Sequence, residues 1–262
     1  MNKLNVLKCY TTAKNPDEIM ITLIGTGHVF NLSQALIQIF DEKNPDIICV
    51  ELDRQRYKAL IMKQLDPGKY KEQSKNQPIL YKLLSRFQEG MAKEYGVTAG
   101  QEMLTAIDYA QSHQKPIALI DMDAQNLFSK MLKNMSVKEK FRLILSGFGG
   151  FFVSKKRVEK ELDKIQDDFD FYMDEIGKKF PTIKRTLIDE RNEYMKEQLK
   201  SASKDFEKVI AVVGDGHIPG ISKLLKKNEI DYEMIRLSEL RENTELDNDS
   251  SSASFSIENK SL

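Results

Sequence analysis

Net charge, cysteine, histidine and long apolar runs are all scarce in this 262-residue chain, and each scarcity narrows what it can be. Basic and acidic residues balance at 40 each, so the chain as a whole lacks the basic footprint of nucleic-acid binding, and no nucleic-acid partner is expected. The same neutrality lowers self-repulsion and leaves a homodimer open. The two cysteines, Cys9 and Cys49, lack the framework spacing of a secreted disulfide domain. Both read as reduced, mostly buried thiols of a cytoplasmic protein. Residues 1–12 lack the apolar core of a signal peptide, and no apolar run approaches the ~20 residues that cross a bilayer. No membrane span is expected.

What is present reads as globular, with 40% hydrophobic and 31% charged residues. The length suffices for one large α/β domain with an inserted helical part. Residues 3–11 and 18–25 are β-rich runs around the turn cluster Lys14-Asn15-Pro16-Asp17 and predict a hairpin. Leu32, Leu36, Ile37 and Phe40 then recur at helical spacing, ending near Lys43-Asn44-Pro45. A strand is predicted at 47–52, a helix at 54–64, a loop over the Pro- and Gly-bearing 66–78, helices at 79–94 and 98–113, and a strand at 116–121. No strand is evident from 123 to 199. A strand at 208–214, a helix at 218–227 and a strand at 231–237 complete the pattern. Such alternation predicts an α/β fold with a mixed, partly parallel central sheet flanked by helices. Residues 1–240 form that single domain, with a helical insertion at about 123–205, and the polar 241–262 reads as a disordered tail.

Two stretches match. Aligning His28 with His217 places Ile21 on Ile210, Gly25 on Gly214, Gly27 on Gly216, Ser33 on Ser222 and Leu36 on Leu225. Each copy is an apolar strand, a Gly-x-Gly-His turn and a helix. Glycine there answers a need for positive φ or for close backbone approach. Both imidazoles are thereby expected at the carboxyl end of a strand, where open α/β sheets bind ligands. A Gly-x-Gly before a helix is weak on its own, and the third glycine of the dinucleotide fingerprint is missing. Yet the chain has only three histidines, and two of them occupy equivalent places. The third, His113, ends a helix and reads as surface.

Carboxylates converge on the same edge. The strand at 47–50 runs into Glu51-Leu52-Asp53 and the strand at 117–120 into Asp121-Met122-Asp123. Helix capping is the plain structural alternative, and it fits Asp53 and Asp123 better than Glu51 or Asp121. Glu190 is separate: on a helix over 181–199 it shares an apolar stripe with Ile183, Leu187 and Tyr194. A carboxylate on a buried face must be paired or coordinated, with Arg191 as partner or as an anion clamp.

Taken together, Gly25-Thr26-Gly27-His28-Val29, Val50-Glu51-Leu52-Asp53 with Arg56, Gly100-x-Glu102-Met103, Glu190-Arg191-Asn192 with Met195, and Val213-Gly214-Asp215-Gly216-His217-x-x-Gly220 resemble the TraB/PrgY pheromone-shutdown family. The resemblance runs in order from about Ile21 to Leu225. It extends to the Tiki metalloproteases, which share paired Gly-x-x-His motifs, and more distantly to erythromycin esterases and ChaN-like proteins. It implies an α/β core with inserted helices and a metal-dependent hydrolase site. The residues it carries over are His28, Glu51, Glu102, Glu190, Arg191 and His217. Where the family places an Arg between the two acids, this chain has Met122. Many prokaryotic relatives continue into a membrane-spanning part, but this chain ends in a polar tail, so membrane attachment is not carried over.

The expected activity is hydrolysis of a peptide or other small acyl substrate. His28 and His217, with Glu51 or Glu190, would bind one divalent cation and leave a position for water. Mn²⁺, Co²⁺ or Zn²⁺ suits such a ligand set. Glu51 would take the proton of the water, with Glu190 and Glu102 as further catalytic carboxylates. Arg191, Arg56 and Asp121 would bind substrate, Arg191 also steadying the oxyanion. Two alternatives stand beside this: a metal-independent esterase using His and Glu, and a non-catalytic protein that sequesters a peptide. The Phe- and Gly-rich 141–153 reads as a buried helical hairpin tip, with a lid, a dimer contact or a membrane-touching tip as other roles.

Overall fold

The computed structural model describes residues 20–27, 30–74, 100–150 and 175–241. Its described strands are β1 (Met20–Thr26), β2 (Ile47–Val50), β3 (Ile117–Leu119), β4 (Lys208–Gly214) and β5 (Tyr232–Ile235). They form one sheet in the order β3-β2-β4-β1-β5, and every pairing among them is parallel. The expected α/β sheet flanked by helices is therefore observed. An antiparallel pair was expected from the opening hairpin, whose first strand, 3–11, lies outside the described residues. β1 is buried from its second residue onward and β4 from its second to its sixth, as continuous apolar runs must be when helices cover both faces.

Alternate side chains of each strand serve opposite faces. Ile24, Val50, Ile210 and Val212 join Leu36, Phe40 and Ile107 in one core. Leu23, Cys49, Ala211 and Val213 join Met195, Leu199, Ile221 and Leu225 in the other. The first face is covered by α1 (Ser33–Lys43) and, below in chain order, the helix Gln101–Ser112. Asn44 ends α1 in the left-handed conformation at φ 44°, the C-terminal signal read from Lys43-Asn44-Pro45. Ile37, placed on the apolar side by spacing, is 42% exposed; Ala35, Leu36, Ile39 and Phe40 are the buried face.

After β2 come α2 (Arg54–Leu65) and α3 (Pro67–Ser74). The expected loop at 66–78 is thus in part a helix. Pro67 sits at its first position, where a missing N–H costs nothing, and Asp66 Oδ1 accepts the Lys69 N–H at 3.0 Å. Residues 79–94 lie outside the described residues. The next helix, α4 (Gln101–Ser112), starts only after Gly100, whose φ of +83° suits glycine. His113 follows it exposed, stacked on Tyr109 at 4.0 Å, so its surface reading holds.

The chain divides into two units, Met1–Asp121 with Tyr194–Leu262, and Met122–Glu193. The second contains α5 (Ala124–Asn134), α6 (Val137–Gly150) and the turn α7 (Pro181–Lys184), which passes through a π-helical turn, Arg185–Asp189, into α8 (Glu190–Ala202). That π turn inserts an extra residue and shifts the helix phase. The buried positions are Thr182, Thr186, Asn192, Met195, Lys196 and Leu199, whereas Tyr194 is 39% exposed. The stripe through Ile183, Glu190 and Tyr194 drawn from uninterrupted helical spacing is corrected accordingly. Ser136 and Glu139 form a reciprocal capping box at the start of α6. The expected burial of 141–153 is overturned for its described side chains: Phe141, Ile144 and Leu145 are all more than half exposed. Among the described residues no helix is long and apolar enough to cross a membrane. After β4 a short 3₁₀ turn, Asp215–His217, leads into α9 (Ile218–Lys227).

Candidate functional site

All five described strands end on one rim. β1 and β4 are neighbours there, with Thr26 opposite Gly214, so the two strands of the repeat finish side by side. The ladder runs one step off the repeat: Gly25 matches Gly214 in sequence but faces Val213 across the sheet. His28 lies outside the described residues. His217 is buried, with 6% of its surface exposed, and α9 starts at the next residue, with Pro219 in its first turn.

Glu51 reaches His217 from β2. Its N–H donates to the Val212 carbonyl at 3.1 Å, carrying the β2–β4 ladder one step past the strand. The carboxylate then turns toward β4. Oε2 accepts the Gly214 N–H at 2.6 Å, and Oε1 faces His217 Nε2 at 3.5 Å. Their side chains are 10% and 7% exposed. That separation is long for a strong hydrogen bond.

Asp121 and Arg56 form a second pair in the same unit. Arg56 Nη1 donates to Asp121 Oδ2 at 2.6 Å, and only 2% of the Asp121 side chain is exposed. Asp53 accepts the Gln55 and Arg56 N–H groups at 2.7 and 2.9 Å and so caps α2. Asp123 caps α5 through the Asn126 N–H at 2.8 Å. Both caps were separable from Glu51 and Asp121 by sequence alone. Glu102 is buried in the first turn of α4, whose Met103, Ala106 and Ile107 pack in the core with Val50 and Leu52.

Sequence reasoning missed Asp215 and Arg236. Asp215 Oδ1 and Oδ2 accept Arg236 Nε and Nη2 at 2.9 and 2.7 Å, and Oδ1 also accepts the Leu237 N–H at 2.9 Å. This clamp joins the turn after β4 to the end of β5 across β1, which lies between them. Gly25 is where it crosses: a Cβ there would sit 2.2 Å from Asp215 Oδ1. Gly25 is therefore needed for close approach and not for positive φ. The available signal was Asp215 itself, a charged residue in the slot that Thr26 fills in the other copy.

Glu190 and Arg191 fall in the second unit. Glu190 pairs with Lys130 Nζ at 2.8 Å and Arg185 Nε at 3.8 Å, with 27% of its side chain exposed. Those cations, and not Arg191, stand in the partner role expected for its neighbour. Arg191 Nη1 donates to the Leu187 carbonyl at 3.2 Å.

A metal fits the central pair in part. Two ligands about 2.0–2.2 Å from a tetrahedral cation lie roughly 3.3–3.5 Å apart, which is the spacing of Glu51 Oε1 and His217 Nε2. Among the described residues no group of three His, Cys, Asp or Glu side chains stands together to hold an ion.

Comparison with known proteins identifies the family. The family model described as the TraB/PrgY/gumN family matches residues 10–233. An uncharacterized protein of Methanocaldococcus jannaschii is 33% identical over 84% of this chain and 58% of its own. TraB domain-containing proteins of Bos taurus and Homo sapiens are 24% and 23% identical, over 79% and 84% of this chain and 63% and 66% of theirs. The chain thus spans about three fifths of the length of the curated relatives it matches. With the family model covering the repeat, both glycine turns and the acidic strand ends, the chain belongs to the TraB/PrgY/gumN family.

Proposed function

We propose that the protein is a hydrolase of acyl bonds, peptides foremost, acting at the His217–Glu51 pair with a divalent cation held there. One observation carries this reading: an imidazole nitrogen and a carboxylate oxygen, each following a different strand and both buried, face each other across 3.5 Å on the carboxyl rim. His28, the matching histidine after the neighbouring strand, is the further ligand the reading requires. A cation in that place supplies polarisation of the scissile carbonyl and a more acidic water.

The chain's own groups do the rest. The Gly214 N–H holds one oxygen of Glu51, which keeps the carboxylate oriented with its other oxygen toward His217, where it would act as ligand or take a proton. Arg56, steadied by Asp121, offers its remaining N–H groups to a substrate carboxylate or carbonyl. Mn²⁺, Co²⁺ and Zn²⁺ all suit a His/carboxylate set. The reduced, buried Cys49 supports a cytoplasmic setting.

Elemental analysis of the full chain supplied with each cation, beside a peptide-cleavage screen with and without chelator, tests the reading. One cation per chain is expected, lost in His217→Ala, with turnover falling roughly 100-fold or more on chelation. Turnover that ignores chelator but needs His217 moves the site to a metal-independent His/Glu esterase. Peptide binding without turnover, unchanged in His217→Ala, sinks the hydrolase and leaves a sequestering protein.

A further inference from the structure

We propose that the exposed face of α6 is a docking surface for an anionic lipid bilayer. Val137, Phe141, Ile144 and Leu145 follow the spacing i, i+4, i+7, i+8, so at about 100° per residue they share one stripe. The stripe faces water: Val137 is 83% exposed, Phe141 64%, and Ile144 and Leu145 57% each. Glu139 lies on the opposite side and is buried, its carboxylate accepting bonds from Ser136 and Thr182. The helix is thus anchored to its own unit through its polar side, the reverse of a helix that packs its apolar stripe into a core.

Charge names the occupant. Lys138 and Lys140 are exposed and flank the stripe on either side. Residues 130–145 hold five Lys and Arg, of which Lys130 pairs with Glu190, but a single acid, that same buried Glu139, in a chain whose total charge is zero. Apolar side chains bordered by lysines match acyl chains beneath anionic headgroups. A second copy of the stripe would bring lysines against lysines.

The test is co-sedimentation of the full chain with vesicles of phosphatidylcholine, alone or mixed with phosphatidylserine. Binding to the mixed vesicles is expected, weakened by salt and reduced about tenfold or more in Phe141→Ser/Ile144→Ser and in Lys138→Glu/Lys140→Glu. Far-UV circular dichroism matching the parent shows that these variants fold. The chain has no tryptophan, so Phe141→Trp gives a single reporter whose emission shifts to the blue on anionic vesicles. Binding to neither vesicle, equal binding by the variants, or an emission shift that depends on protein concentration alone (a second copy as the occupant) overturns the proposal.

Discussion

At Gly25 the space a side chain needs is taken by a carboxylate that cannot easily yield. Asp215 is held there by Arg236 and by the Leu237 N–H. Gly25→Ala is expected to cost about 1–3 kcal/mol by overpacking, read as a lower urea midpoint. Asp215→Ala removes the obstacle together with its bonds to Arg236, so the double variant should lose less than the two single losses combined, by roughly 0.5–3 kcal/mol. Simple additivity would mean that the two residues do not compete for one volume. Cys49 offers a second residue-level expectation. Burial pushes its thiol up to about 12, and only the thiolate is an efficient nucleophile. In Cys9→Ser, a thiol reagent near neutral pH should find no reactive sulfur until denaturant is added. Rapid labelling of the native protein would contradict the burial. The roles of Asp53 and Asp123 were legible because a cap is local, two or three residues from the N–H it accepts. The partner of Asp215 was not, because Arg236 lies 21 residues away and meets it only once β5 lies beside β1.

Among the elements, α6 depends on Glu139. Burial would raise this carboxyl, but hydrogen bonds from Thr182 and Ser136 outweigh it and hold the group below the usual carboxylate range. A carboxylate depressed by folding contributes stability above its unfolded pKa and loses it as pH falls through the lower, folded value. Glu139→Gln should therefore cost about 1–3 kcal/mol near neutral pH, with the gap to the parent narrowing below roughly pH 4. A gap in thermal midpoint that stays constant down to roughly pH 3 would show that the charge is not what the Thr182 and Ser136 bonds stabilise. Most elements near the site could be read in advance, since β4 and α9 fall where apolar runs and the Gly-x-Gly-His turn put them. What escaped were departures from regular period. The π turn at Arg185–Asp189 moves Glu190 off the stripe that even spacing assigned to it, and α3 forms across a Pro-Gly pair that ordinarily signals a loop.

For the whole molecule, strand order matters more than any single pairing. Among the described residues β1 is bonded only to β4 and β5, and β2 only to β3 and β4. The repeat in the sequence placed two like strands at the carboxyl rim; that they would be immediate neighbours was not readable, because nothing local to either copy encodes which strand lies alongside. A chain cut short of Lys208 is thus expected to leave β1 with no partner and an open, apolar edge. Its far-UV circular dichroism should show a weakened sheet contribution, with only the β2–β3 pairing left to it, and it should aggregate. A monomeric, well-folded fragment ending there would contradict this strand order.

The central place of β4 also has a consequence in time. Synthesis makes β1 well before β4, and the slot between β1 and β2 stays vacant until β4 emerges, so closure of the sheet waits on contacts separated by nearly two hundred residues. Until then Glu51 has neither the Gly214 amide nor His217 to face, and a nascent or prematurely ended chain lacks the assembled Glu51–His217 pair.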